Sequence, residues 1–111
     1  MTHFKNYRDF AGERSDRFYK DTLFQGYFLM LGINCLNPGQ MQAIHQHADQ
    51  DKAYIVMEGT GRFTVGTDVR ECGSGEIVWA RAGVPHGVEN KGSVQLVVLV
   101  CMAPPPGDHH Q

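Results

Sequence analysis

The sequence has no long uninterrupted apolar run, and its charges are nearly balanced. The longest apolar stretch, Leu96–Pro106, is interrupted by prolines and is too short to cross a bilayer. Ten lysines and arginines stand against twelve aspartates and glutamates, which gives no support to a nucleic-acid or anionic-membrane surface. The first residues are polar and lack the apolar core of a signal peptide, so we expect a soluble, cytoplasmic protein.

Cysteine is scarce, and the three that occur are widely spaced at Cys35, Cys72 and Cys101. No CxxC pair exists, which argues against a zinc knuckle and against a thioredoxin-type redox motif. We interpret Cys35 and Cys101 as small core residues within apolar strands.

A convincing amphipathic helix is also lacking, since the one helical candidate, residues 7–19, contains Gly12. Short β-rich runs separated by glycine and proline turns fill the rest of the chain. The predicted strands are Arg17–Thr22, Tyr27–Leu36, Met41–His47, Lys52–Met57, Arg62–Val65, Val69–Cys72, Glu76–Ala80, His86–Glu89 and Val94–Met102.

The 111 residues suffice for one domain with one core. We expect a loose N-terminal arm over residues 1–16 and a frayed tail over residues 104–111, where three prolines cannot continue a central strand. Short antiparallel strands in a small domain must close or stack to avoid open edges, which predicts an all-β jelly roll or small barrel.

Two histidines one residue apart, His45 and His47, lie in a predicted strand. Side chains alternate along a strand, so both imidazoles are expected on one face, as in a metal site. His86, which begins a later strand, is the candidate third ligand. Imidazole nitrogens bind several divalent transition metals, and the sequence does not choose among iron, zinc, nickel, manganese and copper.

The spacing around these histidines resembles the two motifs of the cupin superfamily. Gly39, His45, His47 and Gly59 match the first motif: glycine, five residues, His-X-His, three or four residues, glutamate, six residues, glycine. The resemblance covers about half of the chain when the second motif is included.

The second cupin motif has glycine, five residues, Pro-X-Gly, two residues, histidine, three residues and asparagine. Gly75, Gly83, His86 and Asn90 match it, with Arg81 in place of the proline. The resemblance implies a cupin-type double-stranded β-helix (a jelly-roll barrel) with a metal inside the barrel, and commonly a homodimer.

One position departs from the family pattern, because the expected ligand glutamate falls on Lys52. A protonated ammonium has no lone pair and cannot bind a metal. Three interpretations stay open. The site uses three histidines, as the resemblance to thiol dioxygenases within the superfamily suggests; an oxygen ligand comes from Gln50, Asp51 or Asp49; or the site holds no metal.

Lys52 itself has two predicted placements. If it faces inward with Tyr54 and Val56, it could anchor an anionic substrate beside the metal. Alternatively it lies at the barrel mouth in a surface pair with a nearby carboxylate, worth at most about 1 kcal/mol, and we favour this placement. The candidate substrate-pocket residues are Lys52, Tyr54, Trp79, Phe28 and Asn34.

The opposite face of the same strand carries Ala53, Ile55 and Met57. An uncovered patch of this kind is a liability, so we expect the arm, a second sheet or another subunit to cover it, and we predict a homodimer.

Two functional hypotheses remain. The first is a metalloenzyme that binds a divalent transition metal through three histidines and acts on a small organic substrate, as a dioxygenase, isomerase, lyase or decarboxylase. The second is a non-catalytic module that binds or senses a small ligand. One barrel hosts many chemistries, so the fold does not select the substrate.

Overall fold

The computed structural model of the chain describes residues 2–106. Within them the chain forms one short 3₁₀ helix, Tyr7–Phe10, and nine strands. The strands are β1 (Tyr19–Gln25), β2 (Met30–Leu36), β3 (Met41–His45), β4 (Asp51–Glu58), β5 (Thr60–Val65), β6 (Asp68–Gly73), β7 (Ile77–Ala80), β8 (His86–Glu89) and β9 (Leu96–Ala103). No helix among these residues is long and apolar enough to cross a membrane.

The strands form two antiparallel sheets. The first sheet has the order β1-β2-β9-β4-β7, and the second has the order β3-β8-β5-β6. Strands that are distant in sequence are therefore neighbours in space, as in a jelly roll. The predicted all-β fold of the cupin type is confirmed.

Strand β4 shows how the sequence divides the two faces of the first sheet. Lys52, Tyr54 and Val56 are fully buried and alternate with half-buried residues that point outward. The inward side chains join a core that both sheets share. Its buried members are Met30, Leu36, Tyr54, Val56, Phe63, Cys72, Val78, Val88, Leu96, Val98, Val100 and Met102.

The N-terminal arm is fastened to the outer face of the first sheet, so the prediction of a loose arm is wrong. The Tyr7 hydroxyl donates to Glu58 Oε2 (2.7 Å), and Lys5 Nζ donates to the carbonyl of Leu23 (2.6 Å). The helix predicted as a candidate over residues 7–19 is limited to the 3₁₀ turn, where the amide of Arg8 donates to Asn6 Oδ1. The arm covers a second apolar cluster that is centred on Leu23, Ile33, Cys35 and Val97.

The end of the chain is described only in part. Pro104 accepts a hydrogen bond from Gln50 Nε2 (3.3 Å), so this residue of the predicted frayed tail is held in place. Residues 107–111 lie outside the described part of the chain.

Strand β2 begins at Met30, three residues later than predicted. A tight turn occupies residues 26–29, closed by a hydrogen bond from the Gly26 amide to the Leu29 carbonyl (2.9 Å). The apolar character of Tyr27 and Phe28 suggested strand, but both side chains lie on the surface of this turn.

Gly59 joins β4 to β5 with a φ of +76°, a conformation that side chains with a Cβ rarely adopt. A Cβ there would also overlap the carbonyl oxygen of Gln95. This position therefore needs glycine for two independent reasons.

We predict that Gly59→Ala lowers the free energy of unfolding by about 2–4 kcal/mol, from left-handed strain and from the overlap. Gly26→Ala is the control, since its Cβ would lie 4.0 Å from the nearest heavy atom, and we expect a change within about 0.5 kcal/mol. Urea denaturation measures both, and equal effects would contradict the assigned constraint.

Candidate metal centre

Three histidines from two segments of the sequence converge at one point. His45 ends β3, His86 begins β8, and the two are direct cross-strand partners. The ring of His45 lies 4.4 Å from that of His86 and 4.9 Å from that of His47, centroid to centroid. One potential ligand atom from each residue lies within 4.8 Å of the others, so the group could hold a single metal ion.

A β-bulge directs His45 toward His86. Gln42 pairs with Val88 and His45 pairs with His86, so β3 has one residue more than β8 between these pairs. The two strands approach closely at this point, since a Cβ on Gly87 would lie 2.8 Å from the carbonyl oxygen of Gln42. The bulge turns the end of β3 so that its final side chain meets the first of β8.

His47 reaches the cluster by another route than the one predicted. Strand β3 ends at His45, so the argument that two histidines share one face of a continuous strand is wrong for His47. The carbonyl of His47 instead accepts a hydrogen bond from the amide of Gly83 (2.8 Å), in the turn that precedes His86. The two histidine-bearing segments are therefore tied together by their backbones.

Two of the imidazoles are oriented by backbone carbonyls. Nδ1 of His45 lies 2.8 Å from the carbonyl oxygen of Ala43, and Nδ1 of His86 lies 2.9 Å from that of Val84. A carbonyl only accepts, so each Nδ1 carries a proton, which leaves Nε2 as the nitrogen that can bind a metal. This is the arrangement that orients metal-binding histidines.

The environment of His86 favours the neutral imidazole that metal binding requires. Its Nε2 atom is buried and has no hydrogen-bond partner among the described residues. Burial lowers the pKa of His86 to about 4, so the ring is uncharged at neutral pH. A buried acceptor with a free lone pair, aimed at two other imidazoles, fits a divalent transition metal.

The candidate oxygen ligands lie beside the cluster rather than within it. Asp51 Oδ1 accepts a hydrogen bond from the Ala82 amide (2.9 Å), and Asp51 stands on the opposite face of β4 from Lys52. Gln50 lies next to the loop of His47, where its Nε2 atom donates to Pro104. A fourth ligand from this segment stays a prediction.

Lys52 is fully buried, so the favoured placement in a surface pair at the barrel mouth is wrong. Its Nζ atom lies 4.8 Å from the centroid of the Tyr54 ring and has no hydrogen-bond partner among the described residues. Desolvation lowers the pKa of Lys52 to about 7, with a smaller contribution from the charge of Lys20. The alternation of side chains along β4 places the amine inside the barrel with Tyr54 and Val56, which is the inward placement that the sequence also allowed.

Two further pocket candidates also lie inside. Tyr54 is fully buried, its hydroxyl donates to Gln42 Oε1 (2.6 Å), and its ring centroid lies 6.2 Å from that of His86. Asn34 is fully buried on β2, and neither atom of its amide group has a hydrogen-bond partner in the described part of the chain.

Phe28 and Trp79 do not line the interior, and their prediction as pocket residues is wrong. Phe28 is 84% exposed in the turn before β2. Trp79 is 56% exposed because the alternation of β7 turns Val78 and Ala80 inward and Trp79 outward. A run of four residues does not reveal which of its two faces is buried.

Gln42 was missed by the sequence analysis. It is a buried polar residue that binds the Tyr54 hydroxyl beside the histidines. In a regular strand, residues three apart point to opposite faces, so Gln42 and His45 gave no sign of sharing a site. The bulge between them removes this phase difference.

We predict that Lys52→Met stabilises the protein, because it removes a buried amine that lacks a partner. An unfolded lysine holds its proton up to about pH 10.5, whereas the native one releases it near pH 7. The wild type therefore gains stability relative to the variant between these pH values, by at most about 1.4 kcal/mol per unit. The advantage of the variant is thus largest below pH 7.

Urea denaturation at pH 6 and pH 9 measures this difference. Lys91→Met, which removes an exposed lysine outside the strands, is the control, with an expected change of at most about 1 kcal/mol. A Lys52→Met variant less stable than wild type at pH 6 would show that the amine has a favourable partner in the fold.

The sequence and the fold were compared with those of known proteins. A cupin-domain family model matches residues 32–102. An uncharacterised protein of Methanocaldococcus jannaschii is 31% identical over 83 residues, which span 75% of this chain and 66% of that protein. The crystal structure of the TT1209 protein from Thermus thermophilus superposes with a TM-score of 0.91 at 31% identity, covering 95% of this chain and all of that one.

The fold likeness extends to more distant sequences. A Klebsiella pneumoniae protein with a double-stranded β-helix domain superposes with a TM-score of 0.88 at 19% identity, covering 94% of this chain and 91% of that one. The family match spans well over half of the sequence and includes all three histidines. The chain therefore belongs to the cupin family.

Proposed function

We propose that this protein is a metal-dependent cupin that binds one divalent transition metal through His45, His47 and His86 and acts on a small organic substrate. The observation that carries the proposal is the convergence of three imidazole ligand atoms within 4.8 Å. Three neutral histidines leave further coordination positions for water or substrate, which is the form of a catalytic rather than a structural site.

The residues around the cluster support a small organic ligand. The interior offers the Tyr54 hydroxyl and the Lys52 amine among apolar side chains such as Met30 and Met102. Few polar groups in an apolar cavity are typical of small-molecule sites. A bound metal would supply Lewis-acid or oxygen-activating chemistry, which covers the dioxygenase, isomerase, lyase and decarboxylase classes.

Metal content tests the proposal. Elemental analysis of tag-free protein is expected to give about one transition metal per chain, and His86→Ala should lose it. His3→Ala is the control, because His3 is exposed near the N-terminus, outside the cluster. The adjacent pair His109 and His110 should be replaced by alanine in every sample, since neighbouring histidines scavenge metal. Absence of metal in all variants after reloading would overturn the proposal.

Turnover separates the enzyme from the binding module. Oxygen consumption by the iron-loaded protein, measured over thiols, diketones and phenolic acids, tests the oxidative class, with His86→Ala as the inactive reference. Product formation in the same panel tests the non-oxidative classes. Stoichiometric metal with ligand binding and no turnover would favour the sensing or binding module.

We also propose that the protein forms a homodimer through the outer face of its first sheet. Two cross-strand rows there are wholly apolar: Leu31–Cys101–Ala53–Trp79 and Ile33–Leu99–Ile55–Ile77. The N-terminal arm covers the β1–β2 side, but Ile77 remains 69% exposed at the edge strand. A two-fold dimer sets a patch against its own copy, and an uncharged patch does so without like-charge repulsion. The cytoplasmic location stays a prediction from the sequence.

Light scattering at micromolar concentration should give twice the mass of one chain. Trp79→Lys should shift the protein to monomer, since it places a charge within the proposed interface. Val69→Lys introduces the same charge at an exposed apolar position of β6 in the other sheet and should leave the mass unchanged. A monomeric wild type would refute the dimer.

A further inference from the structure

We propose that the barrel takes an anionic organic ligand, whose carboxylate group is bound by the amine of Lys52 while the rest of the molecule faces the histidine cluster. This inference rests on the proposed function in one respect only: the metal centre is what the other end of the ligand would contact. Lys52 is then a ligand-binding residue that selects acids over neutral molecules of the same shape.

The amine stands alone in an apolar setting. Lys52 lies in the cross-strand row Met30–Met102–Lys52–Ala80, and each of these side chains is fully buried or nearly so. Its three neighbours in the row offer no hydrogen-bond acceptor beyond weakly accepting thioethers. The protonated amine therefore has three N–H donors and no acceptor for them among residues 2–106.

The same interior contains the histidine cluster. The Tyr54 ring is close to both groups: Lys52 Nζ lies 4.8 Å from its centroid, and the centroid of the His86 ring lies 6.2 Å from it. A molecule of a few heavy atoms could contact both.

No carboxylate in the described part of the chain forms an ion pair with this lysine. The ion pairs of the described residues join Arg14 to Asp16, Arg70 to Glu76 and Lys91 to Glu89, all with substantially exposed side chains. A buried ammonium without a counterion is costly, and the lowered pKa of Lys52 reflects that cost. A carboxylate ligand would supply the missing charge and the missing acceptors in one group, through charge-assisted hydrogen bonds.

The histidine cluster is the partly exposed side of this interior. His45 and His47 are half-buried whereas His86 is buried, so solvent approaches the cluster from the side of the first two. Met30 and Met102 lie beside Lys52 in its cross-strand row, and their unbranched side chains can rearrange around a bound molecule. A ligand would reach the buried amine by displacing these flexible side chains.

Pyruvate and pyruvamide test the inference, because they share size and shape and differ in charge. Backbone-amide NMR titration of zinc-loaded, ¹⁵N-labelled protein gives Kd for each. The wild type should prefer the acid, and Lys52→Met should lower that preference by about tenfold or more, as expected for a hydrogen bond to a charged group. Lys91→Met, which removes an exposed lysine that does not contribute to the lowered pKa of Lys52, should retain the wild-type preference.

Lys52→Gln is a second variant that keeps a polar, uncharged side chain, and it should behave as Lys52→Met does. An unchanged preference for the acid in both variants would overturn the inference. So would loss of zinc from Lys52→Met to the extent seen in His86→Ala, because that result would make the lysine amine a metal ligand.

The same samples separate this inference from the proposed function. Stoichiometric zinc without any Lys52-dependent preference for the acid contradicts the inference and leaves the metal centre in place. A Lys52-dependent preference for the acid that persists in chelator-treated protein, together with failure of the wild type to retain zinc, supports the inference and contradicts the metal centre.

Discussion

The pairing of β3 with β8 is the constraint on which the candidate site depends. This pairing sets His45 opposite His86. The extra residue of the bulge turns the side chain of His45 toward His86. The Gly83 amide then binds the carbonyl of His47 and draws the third imidazole into place. Each contact is a backbone contact, so the geometry of the cluster is fixed by the fold and not by the histidines themselves. Such preorganisation is what a functional site on rigid strands requires.

Strand β4 connects this site to the rest of the molecule. Its inward face carries the Lys52 amine and the Tyr54 ring toward the histidines, and its outward face carries Ala53 and Ile55 into the uncharged patch. The buried amine is a local cost in stability that the surrounding apolar core tolerates. A cost of this kind persists where the position contributes to function, which is why Lys52 attracts the proposal of an anion site.

The fold and the identities of the histidines could be predicted from sequence because both depend on spacing. Glycine turns and short β-rich runs predicted the strands, and the spacing of His45, His47 and His86 within two motifs predicted their convergence. What could not be predicted depends on local phase. Gln42 was not predicted because the bulge changes which face of β3 it occupies. Trp79 was predicted to line the pocket, but it lies on the outward face of β7, and Phe28 lies in the exposed turn at residues 26–29. Lys52 was predicted at the surface because lysines are usually exposed. The alternation of side chains along β4 instead directs it into the barrel.

Anomalous diffraction from a crystal of zinc-loaded protein would locate the metal directly. We expect one strong peak at the cluster, about 2.0–2.1 Å from an imidazole nitrogen of each of His45, His47 and His86. A peak that contacts fewer than three of these residues, or zinc found only at other histidines of the chain, would contradict it.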